Sequence, residues 1–139
     1  MILYLDGSAL VKLVLTEPGS THMRSLWRPD VAPTTSTIAY AEVRAAIAAA
    51  ARGRRISPRR NEAAVAELDA AWELVYSVDV DETLSLFAGA LAARHGLRAL
   101  DAVHLASARS LAEGEPVLVS WDVDLRTAAA AEGLVLSPA

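Results

Sequence analysis

Two kinds of apolar run alternate along this chain. Short blocks rich in branched or apolar residues, ILYL at 2–5, VAPTTS at 31–36, YSVDV at 76–80, VLVSW at 117–121 and LVLS at 134–137, have the length of strands. Between them the apolar positions fall at helical spacing, as with Leu10, Val11, Leu13 and Val14 after the Asp6-Gly7-Ser8 turn. A second helical stretch begins at Ser20 and stops at Pro29. A third runs to Gly53, and a fourth opens on Ser57-Pro58, a capping side chain followed by Pro at the first turn, and continues through Leu74. Residues 81–96, 99–114 and 122–133 read as three more helices, the first from an Asp81 cap to Gly96 and the second ending at Gly114.

Strands alternating with helices predict βαβ units: an α/β domain with a central parallel sheet of about five strands, covered by helices on both faces. Right-handed crossovers leave few topologies for such a chain, and its ligands bind at the carboxyl ends of the strands. Residues 1–139 form one domain on this reading, without repeat, linker or low-complexity tail.

That edge of the sheet is where the acids collect. Asp6 and Asp122 each follow an apolar strand directly. Glu42 interrupts an Ala-rich helical stripe with Ile38, Ala45, Ala46 and Ala49, and Asp101 shares a helix face with Leu97, Leu105, Ala108 and Ala112. Two carboxylates ~5 Å apart at an effective dielectric of about 20 repel by roughly 3 kcal/mol. If Asp6, Glu42, Asp101 and Asp122 converge, a divalent cation is the natural occupant of the site, with oxygen ligands suiting Mg²⁺ and Mn²⁺ able to substitute.

Composition narrows the classes. With 29 Ala among 139 residues, packing rests on close helix contact more than on bulky side chains. The absence of Cys excludes disulfides, thiolate chemistry and Cys-based metal sites, and fits a reducing cytoplasm. The start, MILYLD, has no basic segment and its apolar run stops after five residues, so neither a signal peptide nor a membrane span is expected. The formal charge is −4, against broad attraction to nucleic acid, yet twelve of the thirteen basic residues are Arg, the better phosphate partner. Arg52, Arg54, Arg55, Arg59 and Arg60 cluster between two helices, as a solvated loop or as a basic patch for RNA or an acidic partner.

The segments LDGSALVKL, STIAYAEV, LRALDAVHLASA and VSWDVDLRTAAAAEGL together make the chain similar to PIN-domain ribonucleases, and specifically to VapC-type toxins of VapBC toxin–antitoxin pairs. The likeness runs the full length and carries Asp6, Glu42, Asp101 and Asp122 as the four acids, with Ser8 and Ser120 beside them. Gly7 departs from the small side chain more usual there, and Asp124 competes with Asp122, though the register to Leu125 and the Ala128-Ala129 pair favours Asp122.

The resemblance implies metal-dependent hydrolysis of RNA, tRNA or rRNA among the candidates, by an activated water attacking phosphorus in line. Asp6 and Asp101 would bind the principal ion, Glu42 and Asp122 its waters or a second ion, and Ser8 and Ser120 would orient a carboxylate or phosphate oxygen. It also implies a cognate antitoxin laid across the acidic crevice and self-association as a dimer. The alternative is a PIN-fold binding protein that acts through its antitoxin with little cleavage of its own. A receiver domain would need a late Lys, and the only Lys is Lys12; a dehalogenase-type phosphatase would need a second Asp where Ser8 stands.

Plainer readings exist for individual residues. Asp6 and Asp122 suit a turn and a helix cap, and Asp101 could cap a helix starting at Leu100 or Ala102. His104 reads as a packed or hydrogen-bonded histidine, and His22 and His95 as surface residues. The three Trp read as core or interface anchors, with Trp121 the one placed to border the crevice.

Overall fold

The computed structural model describes residues 1–139, and its strands and helices alternate as the apolar pattern predicts. Strands β1 (Ile2–Leu5), β2 (Ala32–Ser36), β3 (Tyr76–Val78), β4 (Val117–Val119) and β5 (Val135–Ser137) form one parallel sheet in the order β3-β2-β1-β4-β5. The helices are α1 (Gly7–Val14), α2 (Ser20–Leu26), α3 (Ala39–Arg52), α4 (Pro58–Trp72), α5 (Glu82–His95), α6 (Ala99–Arg109) and α7 (Val123–Ala131).

Side chains alternate across β1 and divide the core in two. Leu3 and Leu5 pack with Leu10, Met23, Val43, Ile47 and Leu68 from α1 to α4. Tyr4 points the other way, into a layer with Leu91, Leu105 and Leu125 from α5, α6 and α7. Small residues let these helices close in: Ala102, Ala106, Ala108 and Ala129 are each at most 1% exposed. No helix is long and apolar enough to cross a membrane.

Four helices begin where a side chain caps them. Asp6, Ser57, Asp81 and Asp122 accept from the backbone N–H groups of Ala9, Arg60, Leu84 and Leu125, satisfying donors that the first turn leaves without partners.

Several features differ from the sequence expectation: the strand expected over 76–80 ends at Val78, and the helix expected through Leu74 ends at Trp72. The helix expected over 99–114 ends at Arg109, and a separate 3₁₀ turn covers Ala112–Gly114 before Glu115 adopts a left-handed φ of 47° to enter β4. β4 stops at Val119 because the Trp121 amide leaves the ladder to donate to Ser8 Oγ. On α3 the buried stripe is Ala39, Val43, Ile47 and Ala50, so the expected Ala45 is exposed and Glu42 lies at the edge of the core.

The chain passes from β1 outward to β2 and β3, then returns to place β4 on the opposite flank of β1. The carboxyl ends of β1 and β4 therefore adjoin at the point where the strand order reverses, the place where open α/β sheets form a crevice. Asp6 follows β1, and Asp122 stands three residues beyond the end of β4.

Candidate active site

Asp6 is the most enclosed of the four acids, at 3% exposure. Its Oδ1 accepts from the Ser8 hydroxyl at 2.7 Å and the Ala9 amide at 2.8 Å, and its Oδ2 accepts from the Ser120 hydroxyl at 2.5 Å. Burial nevertheless pushes its carboxyl above the ordinary value of 3.8, because these donors and the nearby His104 offset only part of the lost hydration. No cation is in direct contact with it. Asp6 is thus both the cap of α1 and a fixed, buried carboxyl group.

Glu42 comes from the opposite side, at the start of α3, with its side chain 25% exposed. Its Oε1 meets His104 Nε2 at 2.5 Å, and a Cβ built on Gly7 would stand 2.9 Å from its Oε2. Gly7 therefore makes room for Glu42 beside Asp6. His104 is 1% exposed, and its other nitrogen meets the Tyr4 hydroxyl at 2.9 Å.

Asp101 and Asp122 are joined by Arg98. The guanidinium reaches Asp101 Oδ2 through Nε at 3.1 Å and Asp122 Oδ2 through Nη2 at 3.5 Å. α6 begins at Ala99 with Arg98 as its cap residue, so Asp101 lies within the first turn and is not a cap. Asp122 caps α7 through Oδ1, and its amide donates to Ser120 Oγ, the same hydroxyl that donates to Asp6. Asp124 is exposed in the first turn of α7 and lines a hollow of about 230 Å³ with His95 and Thr127. The hydrogen-bonded network therefore runs through Asp122.

Asp6, Ser120, Asp122, Arg98 and Asp101 thus form one continuous chain of contacts, with Glu42 seated against Gly7 next to Asp6. No three Asp, Glu or His side chains stand close enough to hold a metal among them. Arg98 pairs with Asp101 Oδ2 and Asp122 Oδ2, and His104 with Glu42 Oε1. The donor chemistry still fits a hard cation, since every candidate ligand is a carboxylate and buried Asp6 has only neutral donors around it. Mg²⁺ is commonly held by one or two carboxylates and several waters, which does not demand a preformed trio.

Neighbouring residues have defined tasks. The Lys12 ammonium lies over the Trp121 ring, 4.8 Å from its centroid, and pairs with Glu17 at 2.7 Å. Gly19 approaches the same indole so closely that a Cβ would stand 2.7 Å from it, and His22 meets its edge. Trp121 is accordingly an anchor packed among Lys12, Gly19 and His22. His95, expected at the surface, is 15% exposed and bonds Glu132 at 2.7 Å. In the basic loop, Arg60 is held by Glu67 and the Val14 carbonyl, whereas Arg52, Arg54, Arg55 and Arg59 make no ion pair.

Sequence reasoning passed over Arg98 and Tyr4. The signal for Arg98 was its i,i+3 spacing to Asp101 at a helix start. Tyr4 carried a weaker one, a polar handle inside an otherwise apolar strand.

A family model described as PIN domain matches residues 3–131. The chain is 44% identical over 140 residues to Ribonuclease VapC49 of Mycobacterium tuberculosis, covering 99% of this chain and 96% of that protein. Ribonuclease VapC46 of the same organism is 36% identical over 137 residues, with 98% and 97% covered. Among solved structures, FitAcB from Neisseria gonorrhoeae superposes with a TM-score of 0.67 at 19% identity, covering 98% of this chain and 96% of that one. VapBC2 from Rickettsia felis, bound to a DNA fragment from its promoter, gives 0.66 at 20% identity over 99% and 98%.

Proposed function

The chain belongs to the PIN-domain family, and from that membership we propose that it is an Mg²⁺-dependent endoribonuclease, the toxin of a type II toxin–antitoxin pair acting in the cytoplasm. The ribonuclease assignment draws on its full-length kinship with VapC ribonucleases. The observation that carries it is Asp6: a buried carboxylate aimed by Ser8, Ser120 and the Ala9 amide, at the strand-order reversal, with no cation of its own. An ionised group is costly there unless positive charge meets it.

Asp6 and Asp101 are the residues that would hold the principal ion, with Glu42 and Asp122 on its waters or on a second ion. Bound Mg²⁺ would supply charge stabilisation at the phosphate and lower the pKa of a water. Ser8 and Ser120 keep the Asp6 carboxylate in one orientation, so no nucleophilic serine is needed. Mn²⁺ substitutes for Mg²⁺ on this reading, since the ligands are oxygen alone. A metal held by Asp101 and Asp122 would compete with Arg98 for their oxygens, and the Arg98 side chain, 79% exposed, has the freedom to give them up.

The partners are RNA, with tRNA and rRNA the first to test, a cognate antitoxin that covers the acidic edge, and a second copy of the chain. Sedimentation of the purified toxin tests the dimer. Cleavage of a panel of tRNAs and rRNA fragments at saturating Mg²⁺ tests the activity, with Asp6→Asn and Asp101→Asn as controls. The wild type should cut, and each variant should lose at least about 100-fold of its rate, the scale of losing roughly 3 kcal/mol of transition-state stabilisation. Intact RNA throughout would favour a binding protein that acts through its antitoxin, and full activity in either variant would overturn the assignment of roles.

A further inference from the structure

Glu42 lies on α3 in one helix layer and His104 on α6 in the other, so the bond between them crosses the carboxyl edge of the sheet. Behind His104 stands Tyr4, fully buried on β1 two residues before Asp6. A phenol carries its proton at neutral pH, so the Tyr4 hydroxyl, 2.9 Å from His104 Nδ1, is a donor. A tyrosine O–H directed at Nδ1 leaves the imidazole proton on Nε2, and the group facing Nε2 is the Glu42 carboxylate, an acceptor. On the far side of Glu42 is the bare backbone of Gly7, with no side chain in the way.

A histidine kept for packing needs none of this arrangement. Glu42 is 25% exposed and water alone would solvate it, yet its Oε1 is held by a nitrogen that is itself held from behind. We infer that Tyr4 and His104 are positioning residues, a one-directional hydrogen-bond chain that fixes the Glu42 carboxylate beside Asp6. The consequence for cleavage rests on the ribonuclease reading, whereas the chain itself exists without metal or RNA.

Three variants of the full chain separate positioning from packing. Tyr4→Phe removes one oxygen at the far end. His104→Leu keeps an apolar side chain of similar size and removes both bonds. His104→Gln presents an amide N–H toward Glu42 and serves as the conservative rescue. Long-range ¹H–¹⁵N correlation spectra of the metal-free wild type should show His104 protonated at Nε2 and bare at Nδ1, and Tyr4→Phe should mix the two tautomers.

Mg²⁺ affinity, measured by calorimetry without RNA, should fall about 10- to 100-fold in His104→Leu, the range seen when an outer partner of a metal ligand is lost. The cleavage kcat should fall with it while KM for RNA stays put, and His104→Gln should recover most of both. A packing role predicts no such rescue. A proton on Nδ1 in the wild type, or wild-type Mg²⁺ binding and cleavage in His104→Leu, overturns the inference. Should His104→Leu fail to fold, Tyr4→Phe decides: an unchanged tautomer and unchanged Mg²⁺ affinity overturn it, and a shift in both upholds it. A wild type that neither binds Mg²⁺ nor cuts RNA defeats the ribonuclease reading, and the spectra then decide the chain alone.

Discussion

Asp6 shows a side chain working against the stability of the fold that contains it. An ionised carboxylate at 3% exposure is costly, and its raised pKa records that the folded state resists the charge. Asn is an equally good cap, accepts from the Ala9 amide through the same oxygen, and offers an N–H to Ser120 in place of the carboxylate's acceptor. Asp6→Asn should therefore raise stability by about 1 kcal/mol, or about 3 °C in a domain of this size, while abolishing cleavage. Calorimetric scans at neutral pH without divalent metal measure this; a lowered melting temperature would mean that the three hydrogen bonds to Asp6 outweigh the desolvation.

At the scale of elements, the end of α7 is tied to α5 and α6 through one residue. Glu132 pairs with Arg94 at 2.8 Å and His95 at 2.7 Å, and lies 3.5 Å from Arg109. The His95 hydrogen bond, then Arg94, holds its carboxyl below the ordinary value of 4.5. A folded pKa lower than the unfolded one means stability that is complete above about 4.5 and lost as pH falls through the depressed value. Glu132→Gln should melt below the wild type at neutral pH, and the gap should close in acid; a gap that stays constant down to pH about 3 would show that charge at Glu132 is not the cause.

Helix positions were legible because caps and strand ends are local: Ser57-Pro58, Asp81 and Asp122 start helices where their types predict. The inward face of α3 was not. Ala at 41, 45, 46, 48, 49, 50 and 51 gives no contrast between sides, so sequence periodicity could not tell that Val43 and Ile47 turn inward while Glu42 sits on the rim. The pairing of Glu42 with His104, 62 residues apart, was equally hidden, since it depends on two helix layers meeting over the sheet edge.

At the scale of the molecule, acids from β1, α3, α6 and α7 share one edge, and their repulsion is moderated by only Arg98 and His104. Anything that binds the folded site and not the unfolded chain stabilises the whole domain. Mg²⁺ at about ten times its dissociation constant should add about 1.4 kcal/mol to the unfolding free energy, an increment absent in Asp6→Asn. Urea titrations at matched ionic strength read this, and a wild-type midpoint that does not move would remove the metal from the account.

Ser120 donates to Asp6 across 114 positions of sequence, and Leu3 pairs with Val117. During translation, then, the first acid emerges from the ribosome long before the strand and hydroxyl that complete its surroundings. A nascent chain stalled short of Ser120 should leave RNA uncut in a translation extract, and activity from such a stalled chain would refute this. Any cleavage that depends on Asp6 thereby waits until the chain through Ser120 has been made.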